Sequence, residues 1–363
     1  MDLIIFIGAL AAFIILHELG HFLVALWHNV EIEEFGIGFP PRLFTLFRWH
    51  GVDFTLNLIP LGGFVRPKGE NDPSIEGGLA ASPPNIRLGV ILAGPLMNIL
   101  IAILLYSITI SRMGIPQTNQ VIIVDVAPDS PAAQAGIQTN DLLIKINQQP
   151  IQNIANVQKI VAQQRGKEIT LTIQRDNKFI DLQLVPRLNP PPGQGAIGIA
   201  MSNPTQPINL IQAFPYGVKA VIDQGYLLFT MPIKLISGHA PSEEMRVVGF
   251  KGMYDIYQGV RDMDATQNRT AGLGVMAFFA MISASLGILN LLPIPALDGG
   301  RILFIIPELI LNKRIPSQFE NAVHLIGFML LLVLLFYVNL QDFINPINLN
   351  QTLSSYPTST PLP

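Results

Sequence analysis

The chain has 363 residues, half of them apolar and only 13% charged, well below the ~25% charge of an ordinary soluble domain. A net charge of −3 without a basic tract argues against a nucleic-acid partner. No cysteine is present, which excludes disulfides, thiolate metal sites and cysteine nucleophiles.

The first element is an apolar run over 1–27. As a helix from Leu3 to Trp27 it is roughly 37 Å long, enough to cross a ~30 Å hydrocarbon core. No basic segment precedes it, so it reads as a retained membrane helix and not as a cleaved signal peptide. Inside it stands His17-Glu18-Leu19-Gly20-His21. Histidines four residues apart share one helix face, and Glu18 projects beside them. This geometry suits Zn²⁺, with two neutral imidazoles as ligands and a carboxylate near the bound water as general base. The motif alone also arises by chance in long helices, and a polar patch packed on another helix is the bland alternative. However, an ionisable residue at the bilayer centre costs about 2.5–3.5 kcal/mol. Three in one turn, with no lysine or arginine to pair them, call for a strong partner such as a divalent metal. A third protein ligand must come from elsewhere.

Residues 28–87 form a loop with β-prone runs. Gly62-Gly63 between such runs reads as a hairpin or bent strand over Phe54–Val65. Its edge, with Gly62, Gly63 and Phe64, could receive an extended peptide. A small amphipathic sheet on the membrane surface is an equal reading from pattern alone. The second membrane helix is expected over 88–112. It carries Gly94-Pro95-Leu96-Met97-Asn98, so a side-chain amide lies in the membrane. Asn98 could hold a substrate backbone or orient a ligand; an interhelical hydrogen bond worth about 0.6 kcal/mol is the simpler role.

Residues 118–188 have soluble composition. The expected order is strand 121–126, a short helix capped by Ser130 and Gly136, strand 141–147, helix 153–163, and a hairpin turning at Asp176-Asn177. Ser-Pro-Ala-Ala-x-x-Ala-Gly and Asp-Leu-Leu-Ile-Lys-Ile-Asn in that order resemble a PDZ domain of the circularly permuted protease type, a fold that binds peptide at a sheet edge. Residues 189–270 read as a Pro/Gly linker, an amphipathic helix at Ala213–Ile236, at the interface or against the bundle with an extra span as the alternative, and a polar loop. The third membrane region is placed at 271–300, its helix starting near Ala271 and reaching Asn290, where the motif Asn290-Leu-Leu-Pro293-Ile-Pro295-Ala-Leu-Asp298-Gly-Gly-Arg301 begins. The prolines force extended backbone, so Asp298 is expected on an irregular segment lining a cavity. That makes it the candidate third ligand, against the alternative of an aspartate capping the next helix. A loop at 301–318, a fourth membrane helix at 319–340 and a flexible tail at 341–363 complete the chain. Arg42, Arg48, Arg66, Lys68, Arg301, Lys313 and Arg314 fall on one side of four spans, which places that side in the cytoplasm and the 118–188 domain outside.

Together these residues resemble the site-2 protease family, the intramembrane zinc metalloproteases of peptidase family M50. His-Glu-Leu-Gly-His, Gly94-Pro95-x-x-Asn98 and Asn290-x-x-Pro293-x-x-x-x-Asp298-Gly299 match its motifs in order. Pro60-Leu61-Gly62-Gly63-Phe64-Val65 is similar to the membrane-associated hairpin of bacterial regulator-of-sigma-E proteases. Those relatives carry two PDZ domains where one is evident here, and Phe250 stands where many have proline. The resemblance implies a polytopic α-helical membrane protein with a membrane-associated β-hairpin and an inserted extracytoplasmic PDZ domain. It further implies zinc held by His17, His21 and Asp298, Glu18 as general base, and Asn98 and Asn290 holding the substrate or intermediate. The implied partners are an upstream site-1-type protease and a single-span substrate, such as an anti-sigma factor or a signal-peptide remnant, in the inner membrane. A PDZ-bearing scaffold with a vestigial metal site, or a zinc transporter, are the rivals from other classes.

Overall fold

The computed structural model describes residues 1–237, 247–267 and 272–346, without the side chains of 60, 61 and 232–236. In chain order the first elements are α1 (Asp2–Trp27), β1 (Ile32–Trp49), β2 (Val52–Pro67) and α2 (Pro84–Met113). Then follow β3 (Ile115–Pro116), β4 (Val121–Val126), α3 (Pro131–Gln134), β5 (Leu142–Ile146), β6 (Gln149–Pro150) and α4 (Ile154–Gln163). Next are β7 (Ile169–Arg175), β8 (Lys178–Leu184), β9 (Ile199–Ser202) and β10 (Thr205–Gln206). The last are α5 (Leu210–Ile236), α6 (Phe250–Gln267), α7 (Leu273–Asn290), α8 (Asp298–Leu311) and α9 (Ser317–Ile344). They fall into two units, one of residues 1–110 with 210 onward, the other of 111–209.

In the first unit, α1, α2, α7 and α9 are long and apolar enough to cross a membrane. Two glycines let the backbones approach: a Cβ on Gly20 of α1 would lie 2.8 Å from the Ala93 carbonyl carbon, and one on Gly287 of α7 would lie 2.7 Å from the Pro95 oxygen. Small residues at such crossings are how membrane helices gain dispersion contact. An aromatic cluster of Phe6, Tyr254, Tyr257, Phe278 and Phe279 joins α1, α6 and α7. Arg87 of α2 and Glu308 of α8 form a largely buried ion pair at 2.7 Å.

β1 and β2 close a tight turn at His50-Gly51, both at positive φ as a two-residue hairpin requires. The turn is therefore not at Gly62-Gly63. There β2 bends, with Gly62 at φ 93°, and returns along the other flank of β1, so that Phe35 faces both Phe54 and Val65. Glu34 is buried in this sheet and held by Arg42 at 2.9 Å, Arg66 at 3.0 Å and the Thr55 hydroxyl at 2.7 Å. The far end of the hairpin exposes Leu43, Phe44, Phe47, Trp49 and Leu58.

Two stretches differ from the sequence reading. The polar loop expected near 246–269 contains α6, whose apolar stripe Phe250, Met253, Tyr254 and Tyr257 follows helical spacing inside a polar composition. Residues 301–318, read as loop, mostly belong to α8. The amphipathic helix expected at Ala213–Ile236 is α5, of 27 residues; Lys219 and Asp223 pair along it at 2.8 Å and Gln224 donates to Met281 O and Ser285 Oγ on α7.

The second unit is a sheet in the order β8-β7-β5-β4-β9, with β6 beside β5. Val121, Ile123, Ile146, Leu171 and Ile173 form its fully buried core. Ser130 Oγ accepts from Ala133 N at 3.1 Å and caps α3; Asn153 does the same for α4. β9 lies in the stretch read as linker and pairs with β4 from Val126↔Ile199 to Ile122↔Ser202. Four residues beside a Pro/Gly run are too short for alternation to show, so the unit extends beyond 188.

Candidate metal centre

α1 has no proline and carries His17 and His21 one turn apart, with Nε2 atoms 3.1 Å from each other. Asp298 is not on irregular backbone: it is the first residue of α8, directly after the extended turn 291–297. Its Oδ2 lies 3.0 Å from His17 Nε2 and 3.5 Å from His21 Nε2. A tetrahedral ion with bonds of about 2.0–2.2 Å separates its ligands by roughly 3.3–3.6 Å. The three observed edges come within a few tenths of an ångström of one tetrahedral face.

The hydrogen bonds fit the same conclusion. His21 Nδ1 donates to Val90 O at 2.7 Å, which leaves Nε2 with a bare lone pair. Asp298 Oδ2 is buried and receives no hydrogen bond; a buried carboxylate oxygen in that state calls for a cation. Gly94 of α2 lies against both imidazoles, and a Cβ there would approach His17 Nε2 to 2.8 Å and His21 Nε2 more closely still. The donor set therefore fits zinc.

Glu18 lies beside these groups, and its Oε2 accepts from Val65 N at 3.0 Å. A cavity of about 350 Å³ opens on this side, lined by His17, Glu18, His21, Phe64, Asp298 and Arg301 among others. A second cavity of about 230 Å³ is lined by His17, Glu18, Asn98, Asn290 and Asp298. Asn98 is 1% exposed, 3.5 Å from His17 Nδ1, with its Oδ1 unpartnered. Gly63 packs against Ile15 and Glu18 and Gly62 on the Phe39 ring; neither glycine lines the cavities, whereas Phe64 lines the first. Sequence reasoning did not find the Val65–Glu18 bond or the Arg301–Glu70 ion pair at the first cavity. Neither has a local pattern, since the partners are 47 and 231 residues apart.

Residues 5–334 match the model of peptidase family M50, and the chain belongs to that family. It is a multi-pass membrane protein and a zinc-dependent metalloprotease. It is 31% identical over 351 residues to a protein of Clostridium perfringens that carries a zinc metalloprotease name, covering 96% of this chain and all of the relative. Similarly named proteins of Helicobacter pylori (31%, covering 90% of this chain and 94% of the relative) and Brucella suis (29%, 93% of each) are also similar to it.

Proposed function

We propose that the protein is an intramembrane endopeptidase of the site-2 type, in which His17, His21 and Asp298 hold zinc and Glu18 is the general base. The observation that carries this is the convergence of three ligand atoms within 4.8 Å at the middle of an apolar helix, with Glu18 in the same cavities. Bound there, zinc supplies Lewis acidity toward water and the scissile carbonyl. Val65 N–H holds Glu18 Oε2, which leaves Oε1 to take the proton of the attacking water and return it to the departing nitrogen. Asn98 and Asn290, from α2 and the end of α7, offer amides to an unwound peptide backbone in the second cavity.

The substrate is a single-span membrane protein already shortened by another protease, an anti-sigma factor or a signal-peptide remnant. Its local unwinding supplies an extended strand for the outer edge of β2 at Gly63 and Phe64, beside Glu18. The apolar far end of the hairpin suits contact with lipid. The second unit acts as an extracytoplasmic PDZ domain, filtering substrates by size or binding the new C-terminus. Its sheet order and its Ser130 and Asn153 caps support that reading. The basic residues of the hairpin and of α8 support an active site toward the cytoplasmic side of the inner membrane.

The test is cleavage of single-span proteins, full-length and pre-trimmed, in liposomes. Wild type should cut the trimmed form, lose activity to a chelator and regain it with zinc, while Glu18→Gln binds zinc and is at least about 100-fold slower. Equal rates for wild type and Glu18→Gln would remove the base assignment. Equal cutting of full-length and trimmed forms would remove the ordered cascade.

A further inference from the structure

The segment that delivers Asp298 contains a conformation that needs holding. Ala296 has φ 77°, in the left-handed region that a residue with a Cβ adopts when its surroundings impose it. Its N–H is received by Nδ1 of His324, on α9, at 2.9 Å. The Nε2 of that imidazole is buried and has no partner. Phe304 of α8 packs on the ring at 5.5 Å. One turn along α9, Gly327 lies on the same segment: a Cβ there would meet the Pro295 carbonyl oxygen at 2.7 Å. α9 thus touches the backbone of Pro295 and Ala296 with two residues of one face.

The rest of α9 makes this contact conspicuous. Only Gly327, Val338 and Asp342 are buried along it. An ionisable side chain on such a helix is costly in lipid and needs a polar partner; here that partner is a single backbone N–H two residues before a candidate ligand. The bond requires a bare Nδ1, the neutral tautomer with its proton on Nε2.

We infer that His324 is a positioning residue of the metal centre: by receiving the Ala296 N–H it keeps that residue left-handed and aims the Asp298 carboxylate at His17 and His21. This rests on the reading of those three residues as zinc ligands.

Zinc affinity of the full-length protein in detergent, measured by chelator competition, tests it without reference to proteolysis. His324→Leu should weaken zinc about tenfold, the lower end of what losing an outer partner costs a metal site. His324→Asn, whose side-chain oxygen can take the place of Nδ1, should stay within about threefold of wild type by the same scale. Ala296→Gly added to His324→Leu should restore affinity, because glycine adopts this φ without being held. Should the leucine variant not fold, His324→Phe repeats the measurement with ring volume retained. Asp298→Ala reports on the underlying reading and should lose zinc. Wild-type affinity in Asp298→Ala would overturn the ligand assignment itself. Loss in Asp298→Ala with wild-type affinity in the His324 variants, or no rescue by Ala296→Gly, would overturn the role of His324 alone.

Discussion

Replacing Gly94 by alanine places a methyl group on the two imidazole nitrogens. The new Cβ would stand 2.8 Å from His17 Nε2, where ordinary contact begins at 3.4 Å. The nitrogen must therefore retreat by about 0.6 Å, some three times the ~0.2 Å tolerance of a metal–ligand bond. His21 Nε2 is closer and must move further. Its Nδ1 bond to Val90 O, on the same helix as Gly94, resists the movement. Loss of an outer partner alone costs a site 10–100-fold, so displacing two ligands should cost at least about 100-fold in zinc affinity, or ~2.7 kcal/mol. The metal-free protein meets the same overlap, and Gly94 precedes Pro95, where a Cβ is disfavoured in helical backbone, so the usual helix preference of about 1 kcal/mol for alanine over glycine should give it no added stability. Zinc content after dialysis against a weak chelator, with thermal unfolding of the metal-free form, measures both. A Gly94→Ala protein that folds and binds zinc with wild-type affinity would refute the proposed geometry.

Other outcomes follow from the same contacts. Val65→Pro removes the N–H that holds Glu18 Oε2; kcat should fall about tenfold with zinc content unchanged, the scale of one lost charge-assisted hydrogen bond, and an unchanged kcat would show that Glu18 needs no such support. Burial raises the Glu34 carboxyl, but the hydrogen bonds from Arg42 and Thr55 and the charges of Arg42 and Arg66 outweigh it and leave it below its ordinary 4.5. Its stabilisation is then complete above that pH and is lost as pH falls through the lowered value. Trp49 fluorescence in a Trp27→Phe background should stay flat from pH 5 to 8 and change only in more acid solution, and Glu34→Gln should remove that transition. In the second unit, Asp141 accepts from Arg175 Nε and Nη2 at 2.7 Å and from Gln138 N at 2.8 Å while almost fully buried. Asp141→Ala should destabilise that unit by about 3 kcal/mol or more, seen as faster amide exchange in β5 and β7; unchanged exchange would count against it.

The membrane helices were legible because an apolar run of bilayer length seldom folds as anything but a span: the stretches expected at 1–27, 88–112 and 319–340 lie on α1, α2 and α9. The third, read from near Ala271 to Asn290, is α7 (Leu273–Asn290), and residues 291–300 of its region form the turn and the start of α8. His17, Glu18, His21 and Asp298 could be named because metal chemistry restricts residue type and spacing, and the structure brings their side chains together. What escaped was set by contacts distant in sequence. The choice between a hairpin turn and a bent strand at Gly62 depends on β1 being paired on both flanks, and β9 on an existing β4. His324, like the apolar stripe of α6, was a signal available and unread: a histidine in an apolar span, which lipid alone would disfavour.

From Phe328 to Tyr337, α9 has no buried residue. It is moored below by His324 and Gly327, and above by Asn339 and Asp342, which receive backbone N–H groups of residues 249–252. Between the moorings its sequence answers to the surrounding lipid. Drift among related chains in that interval should follow the thickness and fluidity of each host's bilayer, and so reflect habitat more than chemistry.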